Sequence, residues 1–231
     1  IIILYKLDVT KHLLQKGAFM LIRNFSTYRQ FNPHELSKKQ LSDLEKEIKH
    51  PDKDVMSDQF LDFLLWLKGL PSRQESFANF VLKKLAKTPY KKILEVGGGR
   101  TAILSRIIAK AGYEVTCIDT IIEEEFEIDN LTILKDMFDH KTFDLSDYDF
   151  VIAQEPCDAT EHVLLACKAQ NKPFFMSLCG VPHKKLSGEM PESYSDWYGY
   201  LLKESDGYAK LTWISLDPLS RTAILKSKTG F

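Results

Sequence analysis

Residues Lys92–Asp119 read KILEVGGGRTAILSRIIAKAGYEVTCID, and this stretch decides the fold. It starts with a short apolar run that suits a strand buried on both faces. Three consecutive glycines follow, and then isoleucine and leucine recur at helical spacing over residues 103–108. A second apolar run, Val115–Ile118, ends on Asp119. The stretch therefore predicts a strand, a glycine turn, an amphipathic helix and a second strand, which is half of a doubly wound α/β unit.

The glycine turn and the carboxylate after the second strand predict a site for an adenosine-like cofactor. Gly97, Gly98 and Gly99 allow positive φ angles and a close approach of the backbone to a ligand. The first amides of the following helix point toward this turn. Asp119 lies where a carboxylate can accept hydrogen bonds from both hydroxyls of a ribose.

Two classes of adenosine cofactor use such an arrangement. Gly97, Gly99 and Ala102 satisfy the spacing G-x-G-x-x-A, which is also found in sites for nicotinamide and flavin dinucleotides. Glu95, two residues before the first glycine, would repel a pyrophosphate and attract a cationic amino acid moiety. The position of Glu95 therefore favours S-adenosyl-L-methionine.

The segment Glu95–Thr101, EVGGGRT, resembles the first motif of class I S-adenosylmethionine-dependent methyltransferases, in which an acid precedes glycines at alternate positions. Thr101 stands where the family has its last glycine. The resemblance implies a Rossmann-like methyltransferase fold over residues 89–231, with a doubly wound, mostly parallel sheet and a closing antiparallel pair of strands. It also implies S-adenosyl-L-methionine as the cofactor and methyl transfer as the reaction.

The resemblance assigns further contacts with the cofactor. Asp136 and Met137 follow a predicted third strand and are similar to the family's acid and apolar pair at the adenine. Arg73, before the first strand, is placed to clamp the methionine carboxylate, although Ser72 and Glu75 also fit a helix capping box in which Arg73 is merely solvated. The implied cofactor contacts are Arg73, Glu95, Gly97, Gly98, Gly99, Thr101, Asp119, Asp136, Met137 and Glu155.

Two residues are candidates for taking a proton from the methyl acceptor. Glu155 ends a predicted fourth strand, at the edge where open α/β sheets bind ligands and where the family's fourth motif lines the methyl-transfer site. His183 follows the predicted fifth strand, and imidazole is a side chain that commonly serves as a general base near neutral pH. Asp158 and Glu161 precede an apolar run, so they are expected to cap a helix instead.

The spacings Cys157-x4-His162 and Cys179-x3-His183 raise the question of a metal. They could bring two cysteines and two histidines to neighbouring strand ends, as a structural zinc ion would need. The spacings match no common zinc module, and His162 falls inside a predicted helix, so the sequence assigns no metal site.

Residues 1–88 are predicted to form an N-terminal helical extension or cap. Asn32 and Pro33 start one helix with a good N-cap. A second, Ser57–Lys68, is apolar almost all round, and a third runs from Ser72 to about Lys87.

Bulk properties are those expected of a cytoplasmic enzyme. The 31 basic and 32 acidic residues nearly cancel, so no global field favours nucleic acid or an acidic membrane. The four cysteines form no CxxC pair, and no segment reaches the ~20 apolar residues of a membrane span. The sequence leaves the acceptor open between a small metabolite, RNA and protein, and leaves the oligomeric state open. A non-catalytic cofactor-binding module and a small NAD(P)-dependent oxidoreductase are the alternative functions.

Overall fold

A computed structural model describes residues 70–123, 127–216 and 221–228. The chain divides into two units between Ser72 and Arg73, and the second unit contains every described helix and strand. The helices predicted before residue 69 lie outside the described residues.

The second unit alternates helices and strands along the chain. The described helices are α1 (Arg73–Leu85), α2 (Ile103–Lys110), α3 (Thr160–Ala169) and α4 (Tyr194–Glu204), with a short 3-10 turn at Cys157–Ala159. The strands are β1 (Lys92–Val96), β2 (Glu114–Ile118), β3 (Leu131–Leu134), β4 (Phe150–Gln154), β5 (Phe174–Ser177), β6 (Ala209–Ile214) and β7 (Thr222–Ser227).

These strands form one sheet of seven in the order β3-β2-β1-β4-β5-β7-β6. Strands β1 to β5 are parallel, whereas β7 runs antiparallel to both β5 and β6. The chain order reverses between β1 and β4, which is the switch point where open α/β sheets bind ligands. The predicted fold, a doubly wound, mostly parallel sheet closed by an antiparallel pair, is confirmed.

Apolar side chains cover both faces of the sheet. On one face, Phe77 and Val81 of α1 pack with Ile93 of β1 in a cluster that also contains residues of α2. On the other face, Leu94 packs in a second cluster with residues of α3 and α4, including Trp197. Successive β1 residues therefore enter opposite faces, as expected of a buried strand. Helix α1, predicted as part of the N-terminal extension, covers the sheet.

The longest described helix, α1, has 13 residues. At a rise of 1.5 Å per residue it is about 20 Å long, against about 30 Å of hydrocarbon in a bilayer. No helix in the described part of the chain is long and apolar enough to cross a membrane.

Candidate functional site

The glycine turn between β1 and α2 lies at the switch point of the sheet. Gly97 and Gly99 have φ angles of 79° and 66°, the left-handed conformation expected of them. The Gly97 amide donates to the Ile118 carbonyl at 3.0 Å. The Gly99 amide donates to Asp119 Oδ2 at 2.8 Å. Both bonds join the turn to the carboxyl end of β2.

Neighbouring chain segments explain why the turn needs glycine. A Cβ on Gly97 would lie 3.0 Å from Cα and Cβ of Pro156, and a Cβ on Gly98 would lie 2.2 Å from Cys117 Sγ. Thr101, half-buried, leads from the turn into α2. The turn is therefore packed against both β2 and the segment that follows β4.

Glu95 lies beneath this turn and is only 2% exposed. Its Oε2 accepts a hydrogen bond from the Ser105 hydroxyl. Burial raises the pKa of Glu95 to about 7, although hydrogen bonds from Ser105 and Cys117 oppose the rise. From its position in the sequence, Glu95 is expected to be ionised. Burial instead brings its pKa close to neutrality, so a bound charge can shift the ionisation of this carboxyl.

Asp119 and Asp136 follow the neighbouring parallel strands β2 and β3. Asp119 accepts the Gly99 amide on one oxygen and the Ile121 amide on the other, at 3.0 Å. Each carboxylate oxygen has a second lone pair, so Asp119 can still accept two ribose hydroxyls. Asp136 Oδ1 accepts the amide of Met137 at 2.7 Å, and Met137 is 70% exposed. The two carboxylates and an uncovered apolar side chain thus lie along one edge of the sheet.

Arg73 and Glu155 form a forked ion pair between the start of α1 and the end of β4. The two guanidinium nitrogens donate to the two carboxylate oxygens at 2.6 and 3.0 Å. The side chains are only 14% and 18% exposed. The residue predicted to clamp the cofactor carboxylate therefore binds the residue predicted to take the acceptor's proton.

The segment that follows β4 has strained backbone. Glu155 and Cys157 have φ angles of 51° and 52°, which residues with a Cβ rarely adopt. Each such residue costs about 1–3 kcal/mol, and such residues cluster at functional sites. The strain lies where the predicted methyl-transfer site meets the glycine turn.

Three of the four residues considered for zinc come together beyond the strand ends. Single ligand atoms of Cys157, Cys179 and His183 lie within 4.8 Å of one another. The two sulfur atoms are 3.9 Å apart. The neighbouring Cys157 thiol and burial raise the pKa of Cys179. His183 Nδ1 is 3.5 Å from Asp158 Oδ1.

His162 belongs to a separate cluster that the sequence did not indicate. Its Nδ1 lies 3.0 Å from His140 Nδ1, and the two nitrogens lie 3.5 and 3.4 Å from Asp139 Oδ1. Burial and the neighbouring His162 lower the pKa of His140. His140 and His162 are 22 positions apart in the sequence. They meet because α3 packs beside the segment that follows β3.

The prediction that Asp158 and Glu161 cap a helix is wrong. Helix α3 has no side-chain hydrogen bond at its N-cap. The Glu161 carboxylate accepts the Leu186 amide at 2.8 Å and the Tyr200 hydroxyl at 2.5 Å. Because these donors come from distant segments, they satisfy Glu161 in place of the helix amides.

The aromatic residues of α4 mostly serve packing. Trp197 is 1% exposed and stacks on Tyr200 with ring centroids 5.8 Å apart. The Tyr198 hydroxyl donates to the Cys179 carbonyl at 3.3 Å. Tyr194, by contrast, is 48% exposed.

No protein-family model and no curated protein matches this chain. Solved structures with similar folds include a precorrin-6Y C5,15-methyltransferase from Geobacter metallireducens, with 12% identity over 67% of this chain and 89% of the other and a TM-score of 0.45. They also include a SAM dependent methyltransferase from Aquifex aeolicus, with 18% identity over 65% and 88% and a TM-score of 0.44. A Burkholderia thailandensis 1,6-didemethyltoxoflavin-N1-methyltransferase has 11% identity over 67% and 79% and a TM-score of 0.43. Identities and TM-scores this low do not establish a shared activity.

Proposed function

We propose that the chain binds S-adenosyl-L-methionine at the carboxyl ends of β1, β2 and β4 and transfers its methyl group to an acceptor. The observation that carries the proposal is the buried carboxyl group of Glu95 directly beneath a glycine turn that is bonded to Asp119. A ribose on Asp119 and a cationic methionine moiety near Glu95 would satisfy both groups.

The adenosine half of the cofactor would lie along the edge formed by β2 and β3. Asp119 has lone pairs left for the ribose hydroxyls. Met137 offers an exposed apolar side chain to the adenine ring, and Asp136 stands next to it for the adenine amino group. These roles follow from the resemblance and from the positions of the three side chains.

The methionine half would lie between the glycine turn and the Arg73–Glu155 pair. A carboxylate is a suitable second partner for the guanidinium, which has five donors. Glu155 would hold Arg73 in the orientation that this contact needs. Because both oxygens of Glu155 already accept hydrogen bonds from Arg73, we expect its main role to be positioning.

Catalysis would rest mainly on alignment of the acceptor with the methyl group. The sulfonium is a good leaving group, and alignment can contribute about 7–11 kcal/mol to lowering the barrier. The acceptor's proton could pass to Glu155 or His183, the two candidates from the sequence.

Glu95 separates this proposal from the oxidoreductase alternative. A cation near Glu95 binds better when that carboxyl is ionised, so affinity for S-adenosylmethionine should rise with pH through about 7. A pyrophosphate binds better when the carboxyl is protonated, so affinity for NAD should fall over the same range.

Substitution of Asp119 tests the site, and labelled cofactor tests the reaction. Asp119→Asn should weaken S-adenosylmethionine binding about 10- to 100-fold, because hydrogen bonds to a charged group contribute about 1.5–3 kcal/mol. Asp147→Asn, at an exposed aspartate before β4, is the matched control. Transfer of labelled methyl to the protein, RNA or small-molecule fraction of a cell extract would identify the acceptor class. Cofactor binding without transfer to any fraction would favour the non-catalytic module, and unchanged binding by Asp119→Asn would contradict the proposed site.

A further inference from the structure

The ends of β4 and β5 bring together three side chains that suit a transition metal. Cys157 opens the 3-10 turn after β4, and Cys179 and His183 lie in the segment after β5. The two strands are parallel neighbours, so these segments leave the sheet at the same edge. We propose that Cys157, Cys179 and His183 bind one Zn²⁺ ion there.

The separation of the two sulfur atoms agrees with tetrahedral coordination. Two sulfur ligands at about 2.3 Å from a tetrahedral Zn²⁺ ion lie about 3.8 Å apart. The Cys157 and Cys179 sulfurs are 3.9 Å apart. A disulfide requires about 2.05 Å. All three ligand atoms lie within 4.8 Å of one another, so one ion can contact each of them after small side-chain adjustments.

The two ring nitrogens of His183 have the environments of a metal ligand. Nδ1 lies 3.5 Å from Oδ1 of Asp158, close enough for a small side-chain adjustment to form the carboxylate–histidine hydrogen bond that orients many ligating imidazoles. Nε2 is buried and finds no hydrogen-bond partner within the part of the chain that the structure describes. Buried nitrogens are almost always satisfied, and a metal ion would satisfy this one.

The Asp139–His140–His162 cluster is the weaker candidate for the ion. The Nδ1 atom of His162 already accepts the backbone amide of His140 at 3.3 Å. A neutral imidazole nitrogen has one lone pair, so this bond competes with a metal. Sulfur ligands also select zinc more strongly than a carboxylate does.

The Cys157–Cys179–His183 site has room for a fourth ligand. Cys157 is exposed, so solvent reaches the cluster. Three protein ligands with one exchangeable position are the arrangement of catalytic zinc sites, whereas structural sites have four protein ligands. Metal binding at this site does not depend on the proposed methyl transfer. A His183 that binds the metal has no lone pair left for a proton, so the acceptor's proton would then pass to Glu155.

The test measures metal binding by the full chain, with its cysteines kept reduced. The protein is stripped with a chelator and titrated with Zn²⁺, and metal content is measured after gel filtration. We expect one Zn²⁺ per chain. Titration with Co²⁺ should give the charge-transfer absorption of thiolate ligands, which reports on sulfur ligation in the unaltered protein.

Substitutions assign the ligands. Cys157→Ser and His183→Ala should each weaken Zn²⁺ binding more than about 100-fold, because the loss of an orienting partner alone costs about 10- to 100-fold. Asp158→Asn removes the orienting carboxylate and should weaken Zn²⁺ binding by about 10- to 100-fold. Because Cys157 and Asp158 are exposed, their replacement leaves the core intact. Cys167→Ala removes a buried cysteine of α3 and His162→Ala a histidine of the other cluster, and both should keep the wild-type affinity.

Several results would overturn the assignment. Any one of three is sufficient. The first is the absence of stoichiometric Zn²⁺ binding by the reduced protein, and the second is a Co²⁺ spectrum without thiolate absorption. The third is wild-type affinity for Zn²⁺ in both Cys157→Ser and His183→Ala. Loss of binding in His162→Ala alone would place the ion in the other cluster and would equally contradict the proposal.

Discussion

Replacing Glu95 by glutamine should make the protein more stable at pH 8 but hardly change its stability at pH 5. The pKa of Glu95 rises from 4.5 to about 7 because the carboxyl is buried. Between these two values the folded chain holds a proton that the unfolded chain has released. The free energy of unfolding therefore falls as the pH rises through this range, and the loss is complete above about pH 7.

The size of the effect follows from the same two pKa values. At about 1.4 kcal/mol per pKa unit, ionising the buried carboxyl costs about 3 kcal/mol, and most of this cost appears between pH 5 and pH 8. Glu95→Gln removes this cost and keeps an oxygen that can accept the Ser105 hydroxyl. Between pH 5 and pH 8, the free energy of unfolding should therefore fall by about 2–3 kcal/mol less in the variant than in the wild type.

Urea denaturation of both proteins at pH 5 and pH 8 measures this difference. Glu114→Gln, at an exposed glutamate that starts β2, is the control with the same change of charge. Glu95→Gln should also weaken S-adenosylmethionine binding and abolish its rise with pH. Parallel pH dependence of unfolding in Glu95→Gln and the wild type would refute the reasoning, because it would mean that Glu95 is not a buried acid.

Two further substitutions test the surroundings of the site. Gly98→Ala would place a Cβ 2.2 Å from Cys117 Sγ, so it should destabilise the protein by about 1–3 kcal/mol in urea denaturation. The control Gly199→Ala, in open space on α4, should be neutral or stabilising by up to about 1 kcal/mol. Equal effects of the two substitutions would contradict the packing of the turn. Arg73→Lys keeps the charge but loses the fork to Glu155, so calorimetry should show weaker S-adenosylmethionine binding, and wild-type affinity would remove Arg73 from the site.

The βαβ region was predictable because its signals are contiguous in sequence. The strand, the glycine turn and the helix each have their own local pattern, and parallel pairing puts Asp119 beside the turn. The topology also predicted that Cys157 and Cys179 lie close together, because they follow the ends of neighbouring strands. Only the structure could show that His162, on α3, meets His140 instead.

Long-range side-chain contacts explain what the sequence could not show. Arg73 and Glu155 are 82 positions apart, and neither residue's local pattern indicates the other. Glu161 has a good capping pattern, but donors from distant segments use its carboxylate. The raised pKa of Glu95 likewise depends on how completely α2 and β2 bury it, which composition does not reveal.

Calorimetric titration of the full chain with S-adenosylmethionine, S-adenosylhomocysteine and NAD at pH 6 and pH 8 tests the central claim most directly. We expect both sulfur compounds to bind at one site per chain, with tighter S-adenosylmethionine binding at pH 8, and NAD not to compete. Binding of NAD, stronger at pH 6, without binding of either sulfur compound would contradict this claim.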